Sequence, residues 1–316
     1  MLSDPDKLLA GGVCAGDRRA LAKAITLLES TLPDHQARAQ ALLNTLLPRA
    51  GQSLRLGISG APGAGKSTFI EAFGLMLVAA GHKVAVLAVD PSSSLTGGSI
   101  LADKTRMERL SASSAAYIRP TPSSGTLGGV AGRTREAMLV CEAAGFDIVL
   151  VETVGVGQSE TAVAGMTDLL VLLQLPNTGD DLQAMKKGVM ELADVIVVNK
   201  CDLDPNAASR AESQLAAAVR SKPVLRASAT TGEGIEAFWK AVSGLHEARR
   251  ADGRLATRRS QQSLTWMWDL VNASLNATFR EHPAVRAALQ DTVTAVSESK
   301  LAPATAAQSL LDLFRS

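Results

Sequence analysis

Cysteine, histidine and aromatic side chains are scarce in this chain of 316 residues, and each scarcity removes a class of explanation. The three cysteines, Cys14, Cys141 and Cys201, lie far apart with neither CxxC nor Cys/His spacing, which excludes a disulfide framework and a structural zinc. His35, His82, His246 and His282 are scattered singly, which argues against a metal-handling cluster. Aromatic residues are only 3% of a chain that is 46% hydrophobic, so Leu, Val, Ile and Ala must fill the core. A formal net charge of +1 gives no global field to draw the chain onto nucleic acid or an anionic membrane, and neither is expected as a partner. No apolar run approaches the roughly 20 residues of a membrane span, and the opening MLSDPDKLLAGG has no apolar signal core. A cytoplasmic protein is expected.

What is present falls into three textures. From Asp17 to Leu47, Leu21, Ile25 and Leu28, then Leu42, Leu43 and Leu46, recur at helical spacing around Pro33, predicting two amphipathic helices. Short apolar runs follow at Leu54–Ser59, Lys83–Val89, Asp147–Val151, Leu169–Leu173 and Val195–Val198, with room for a helix between each. That is the pattern of a parallel sheet wrapped in helices, an α/β fold. After Trp239 helical periodicity returns, with Leu264, Met267, Val271, Leu275 and Phe279 on one face, a break at His282-Pro283, and a last helix from about Pro303 to Phe314. The expected division is a helical extension over 1–50, a nucleotide domain over 51–248 and a helical arm over 249–316.

The segment Gly60-Ala61-Pro62-Gly63-Ala64-Gly65-Lys66-Ser67-Thr68 matches GxxxxGK[ST] between a predicted strand and a predicted helix. Backbone N–H groups can close on phosphate oxygens only where no Cβ obstructs them, hence the glycines. Lys66 supplies charge for the β- and γ-phosphates, Ser67 a hydroxyl for Mg²⁺, and the helix N-terminus a positive dipole end. The base is named by Asn199-Lys200-Cys201-Asp202 at the end of a predicted strand, followed by Ser228-Ala229. A carboxylate at Asp202 accepts from guanine N1–H and the exocyclic amine, whereas adenine would turn a lone pair toward it. Asp90 and Glu152 end two further strands, where carboxylates can reach a metal ion, and Gly155 can present its amide to the γ-phosphate. Val156 stands where Ras-like proteins carry a water-orienting glutamine, so intrinsic hydrolysis is expected to be slow.

The longer loops carry a more specific signal. Val89-Asp-Pro-Ser-Ser-Ser-Leu-Thr-Gly-Gly-Ser-Ile100, Asp103-Lys-Thr-Arg-Met107, Arg119-Pro-Thr-Pro-Ser-Ser-Gly-Thr-Leu-Gly-Gly-Val130 and Val151-Glu-Thr-Val-Gly-Val-Gly-Gln-Ser-Glu160 together resemble the MeaB/ArgK/MMAA family of P-loop GTPases, within the SIMIBI class. The resemblance implies a mostly parallel P-loop G domain that binds GTP/GDP and Mg²⁺. It implies a homodimer formed partly through the C-terminal arm, and a cobalamin-dependent acyl-CoA mutase as partner, methylmalonyl-CoA mutase first among candidates. Such proteins gate adenosylcobalamin loading and protect the mutase from inactivation. Carried over residue by residue, Lys66, Ser67 and Thr68 contact phosphate and Mg²⁺. Asp90, Asp103 and Glu152 are the metal-site and switch carboxylates, and Asn199, Lys200 and Asp202 read the base. Lys186, in Asp180-Asp-Leu-Gln-Ala-Met-Lys-Lys-Gly188, falls in the family's third switch, where it could compensate phosphate charge; a solvated helix lysine is the plain alternative. Two departures bear on loop motion: Asn177-Thr178 where Gly-Ala is expected, and Ala102 where glycine is usual.

Other readings have less support. An arginine-transport ATPase or kinase conflicts with the guanine-selecting Asn199–Asp202, and a metallochaperone GTPase would want Cys/His clusters. An isobutyryl-CoA-type mutase client remains open. Arg249, Arg250, Arg254, Arg258 and Arg259 could meet nucleic-acid phosphates, but the flanking acids favour a solvated linker face or a partner contact.

Overall fold

The computed structural model describes residues 2–90, 107–122, 127–153, 159–176, 187–219 and 221–315. They form two compact units, 1–262 and 263–316. The first begins with three helices, α1 (Asp4–Cys14), α2 (Arg18–Glu29) and α3 (Pro33–Leu46). Strands and helices then alternate: β1 (Leu54–Gly60), α4 (Lys66–Ala79), β2 (Val84–Asp90), α5 (Glu108–Ser111), β3 (Ala116–Pro122), α6 (Leu127–Ala143), β4 (Ile148–Thr153), α7 (Ser159–Ala164), β5 (Leu169–Gln174), α8 (Lys187–Leu192), β6 (Val195–Val198), α9 (Pro205–Val219), β7 (Val224–Arg226) and α10 (Ile235–Ala251). The seven strands form one parallel sheet in the order β3-β2-β4-β1-β5-β6-β7.

The inner strands are largely buried on both faces, because helices cover both, and the strand period of two assigns their residues to opposite layers. Val84, Val86, Ile148 and Leu150 face a layer built with Phe69, Phe73 and Leu77 of α4 and Phe238 and Val242 of α10. Ala85, Leu87, Val149 and Val151 face the other way, onto α6 and Leu21, Ile25, Leu42 and Leu46 of the N-terminal helices. The few aromatics are concentrated: Phe238 meets Phe69 and Phe73 edge-on, both at 5.0 Å between ring centroids.

The five expected strands are present, and two more join them. β3 carries Pro120 and Pro122, which read as strand breakers, yet it is an edge strand whose outer side needs no ladder donors. β7 is three residues long. The two expected N-terminal helices are α2 and α3; α1 was not anticipated, because Gly11 and Gly12 lower helix propensity. Gly12 has a packing reason, since a Cβ there would lie 2.8 Å from that of Ala20 on α2. Asp6 of α1 is buried, held by Arg38 of α3 at 2.8 Å and by the Ser3 hydroxyl at 2.6 Å.

The arginine-rich stretch departs from a solvated linker face. The helix α11 (Arg254–Glu281) follows α10, and Arg249, Arg258 and Arg259 from these two helices turn onto the amino edge of the sheet. There an aspartate precedes each of three strands and accepts an N–H from, or just ahead of, a neighbouring strand: Asp147 from Lys83, which precedes β2, Asp168 from Arg55 of β1 and Asp194 from Leu170 of β5. Arg259 grips both Asp168 oxygens at 2.7 Å and donates to the Gly51 and Ser53 carbonyls. Arg249 pairs with Asp194, and Arg258 donates to the Thr167 and Ala164 carbonyls at 3.0 Å.

On α6, burial pushes the Glu136 carboxyl up to about 7, with Arg133 pulling it partly back. The folded chain therefore keeps a proton that the unfolded chain releases near 4.5, and stability falls as pH rises between those values. Glu136→Gln is expected to stabilise the protein by about 1–2 kcal/mol above pH 7, after discounting for partial exposure, and to change little near about pH 4. Melting curves at the two pH values check this, and equal shifts at both would refute it.

The second unit holds the remainder of α11 with α12 (Pro283–Ser297) and α13 (Pro303–Arg315). Phe314 packs on Phe279 and on the His282 ring, each 5.4 Å between centroids. The rest of the expected stripe, Leu264, Met267, Val271 and Leu275, is exposed. No described helix is long and apolar enough to cross a membrane.

Candidate functional site: the carboxyl edge of the sheet

From β1 the sheet extends one way through β4, β2 and β3 and the other way through β5, β6 and β7. The loop leaving β1 therefore sits at the switch point of an open parallel sheet, where such folds bind ligands beyond the strand ends. Gly60 ends β1, residues Ala61 to Gly65 form that loop and Lys66 begins α4. Gly60 (φ +154°) lies against β5, where an added Cβ would come within 2.5 Å of the Leu173 carbonyl oxygen. Gly65 (φ +83°) is the N-cap of α4, and a Cβ on it would lie 2.8 Å from Asn199 Nδ2. The two glycines thus leave a cradle that larger residues would fill. Pro62, Gly63 and Thr68 are exposed, Ala61 is half-buried and Ala64 is buried.

Lys66 is nearly buried, and its ammonium donates to the Gly60 carbonyl at 2.8 Å and the Ala61 carbonyl at 3.2 Å. The Ser67 hydroxyl donates to Glu152 Oε1 at 2.9 Å, joining the start of α4 to the end of β4. Beside it the Thr153 hydroxyl donates to Ser59 Oγ at 3.3 Å. A hydroxyl and a carboxylate are hard oxygen donors of the kind Mg²⁺ takes, and they fit that ion. Asp90 closes β2, in register with Pro122 of β3. Asp103, Gly155 and Lys186 lie outside the described residues, as do Ala102, Val156 and Asn177-Thr178.

The base-reading candidates join the same loop. Asn199, which follows β6, is 1% exposed; its Nδ2 donates to the Ala64 carbonyl at 2.8 Å and its backbone N–H to Gln174. Its Oδ1 is buried with no hydrogen-bond partner among the described residues. Lys200 takes φ +59°, a left-handed conformation uncommon outside glycine, so the chain turns sharply and Asp202 emerges exposed. A buried acceptor at Asn199 and a carboxylate three residues on suit a base that presents N–H donors, and guanine presents two where adenine has an acceptor. Burial and the nearby carboxylates of Glu233 and Asp202 push the Cys201 thiol up, so it stays neutral.

After β7 the Ser228 backbone N–H donates to the Glu233 carbonyl at 2.9 Å, and its hydroxyl accepts from Thr231 N–H at 3.1 Å; Ala229 beside it is half-buried. The turn closes at Gly234 (φ +75°), where a Cβ would sit 2.1 Å from the Arg226 carbonyl oxygen. Gly234 belongs to no nucleotide motif, although Thr231-Gly-Glu-Gly234 carries the turn signal.

The family described as "Methylmalonyl Co-A mutase-associated GTPase MeaB" matches residues 21–284. A putative GTPase of Caulobacter vibrioides is 53% identical over 309 residues, covering 95% of each chain. The GTPase ArgK of Escherichia coli K12 is 49% identical over 311 residues, covering 95% of this chain and 94% of the relative. The mouse protein called methylmalonic aciduria type A homolog, mitochondrial, is 45% identical over 325 residues, covering 96% of this chain and 78% of the relative. Among solved structures, a crystal structure described as LAO/AO transport system kinase superposes with a TM-score of 0.80 at 38% identity over 100% of both chains. With a phosphate loop, a guanine-suited turn and these relatives over nearly its whole length, the chain belongs to the MeaB family of methylmalonyl Co-A mutase-associated GTPases.

Proposed function

We propose that this protein is a Mg²⁺-dependent GTPase, converting GTP to GDP and phosphate, that serves as a chaperone for a cobalamin-dependent acyl-CoA mutase. Methylmalonyl-CoA mutase is the first candidate, with the GTPase gating adenosylcobalamin loading and protecting the mutase from inactivation. The observation that carries the nucleotide reading is the Asn199 Nδ2 bond to the Ala64 carbonyl, which joins the base-side turn to the phosphate loop at one sheet edge. The client is supported by the family's description and by the name of the mouse relative.

In this reading Lys66 and the loop amides hold the phosphates, while Ser67, Glu152, Asp90 and Asp103 hold Mg²⁺ directly or through water. Asn199, Lys200, Asp202, Ser228 and Ala229 hold the base, and Gly155 and Lys186 answer to the γ-phosphate. That Mg²⁺ ion, when bound, would supply positive charge to offset the phosphates. A homodimer through the C-terminal arm is supported by the exposed stripe of Leu264, Met267, Val271 and Leu275.

The test is hydrolysis by the purified protein, alone and with candidate mutases, with ATP as the control nucleotide. GTP turnover is expected to be slow alone and to rise by at least about tenfold with the client, since a partner or mobile loop must supply charge that the resident residues lack. Fast turnover without any partner would overturn the gating. Tight GTP binding with no response to any mutase would overturn the client assignment.

A further inference from the structure

An open groove of about 1010 Å³ crosses the N-terminal helices α1, α2 and α3, and none of its lining residues belongs to the nucleotide site. Its wall has two characters. Pro5, Leu8 and Leu9 of α1 supply an apolar side, and Leu8 is 78% exposed. The other side is charged, and its charges divide by whether the fold has already used them.

The carboxylates are used. Asp6 is held by Arg38 and Ser3, and Glu29 by Arg119 of β3. Asp17 accepts the Ala20 N–H at 2.8 Å as the N-cap of α2. The His35 ring is paired with the Ser30 hydroxyl at 2.8 Å. Arg19 and Lys23 stand one turn apart on α2, exposed, their side chains without a hydrogen bond or ion pair among the described residues; the Arg19 backbone N–H donates to Asp17, and both side-chain charges act on that carboxylate through space. The groove thus offers an apolar strip beside two cations at helical i, i+4 spacing whose side chains make no direct pair among the described residues.

We propose that this groove docks a short acidic amphipathic helix of a partner protein. Two carboxylates one turn apart on such a helix meet Arg19 and Lys23, and its apolar face covers Leu8 and Leu9. A nucleic-acid backbone would use the cations but leave Leu8 without a role, so the apolar strip selects protein. Nothing in this assignment depends on the mutase as client.

The probe is a fluorescein-labelled, 14-residue helical peptide of Leu and Glu, titrated into the full chain by anisotropy, with a Leu/Lys peptide and a 14-nucleotide single strand as comparators. The Leu/Glu peptide is expected to bind saturably and more weakly as salt rises. Affinity should fall at least about tenfold in R19E/K23E and about fivefold in L8D, with GTP turnover and far-UV dichroism unchanged. If R19E/K23E folds poorly, R19Q/K23Q carries the same test. No saturable binding, affinity unchanged in the charge variant, or equal binding of the Leu/Lys peptide would overturn the proposal. Binding of the oligonucleotide that is lost in R19E/K23E yet indifferent to L8D would overturn it in favour of a polyanion site.

Discussion

Asp202→Asn is expected to weaken GTP binding by about two to four orders of magnitude and to turn the protein toward xanthosine triphosphate. In the proposed base site the Asp202 carboxylate would accept from both guanine N1–H and the exocyclic amine. Hydrogen bonds to a charged group contribute roughly 1.5–3 kcal/mol each, so losing both costs about 3–6 kcal/mol. A carboxamide offers one acceptor and one donor, which mismatches guanine but fits xanthine, whose C2 carbonyl replaces the amine. Asp202 is exposed and its side chain makes no hydrogen bond or ion pair among the described residues, so the variant should melt as the parent does. Titration with fluorescent GTP and XTP analogues decides the matter. GTP affinity within a few-fold of the parent would remove Asp202 from the base site.

Arg259→Ala should lower the stability of the first unit by about 3–5 kcal/mol, the usual cost of removing one partner from a buried ion pair. Asp168 is fully buried and Arg259 meets both of its oxygens, while the same guanidinium satisfies the Gly51 and Ser53 carbonyls. Truncation leaves the buried Asp168 carboxylate without its bidentate cation, keeping the Arg55 N–H, and strands the Gly51 and Ser53 carbonyls. The melting temperature should fall by roughly 10 °C. Arg259→Lys should recover only part of this, because an ammonium cannot reproduce the planar fork. The internal control is Arg254→Ala five residues earlier: Arg254 pairs with Asp252 at the surface, and its loss should be nearly silent. Equal effects at the two positions would refute the argument.

That contrast also marks where sequence reading reaches its limit. The inner strands were legible because burial on both faces leaves short runs dominated by apolar residues, interrupted in β1 by Arg55, Gly57 and Ser59, and the phosphate loop and Asn199–Asp202 turn because their chemistry needs adjacent residues. Edge strand β3 was hidden by Pro120 and Pro122, which an edge tolerates, and α1 by Gly11 and Gly12, one of which allows close helix packing. The arginines read as a solvated face because their partners, Asp168 and Asp194, stand far away in sequence. The same holds at the candidate site: no spacing rule says that Ser67 meets Glu152 or that Asn199 seals onto Ala64.

The strand order also has a consequence for how the chain is made. β1 is emitted early yet lies at the centre of the sheet, its neighbours being β4, from Ile148, and β5, from Leu169. At ribosomal rates of roughly 5–20 residues per second, β1 waits about 5–20 seconds for either flank, with both edges open. During that interval both edges of Leu54–Gly60 are open to wrong pairing in the nascent protein.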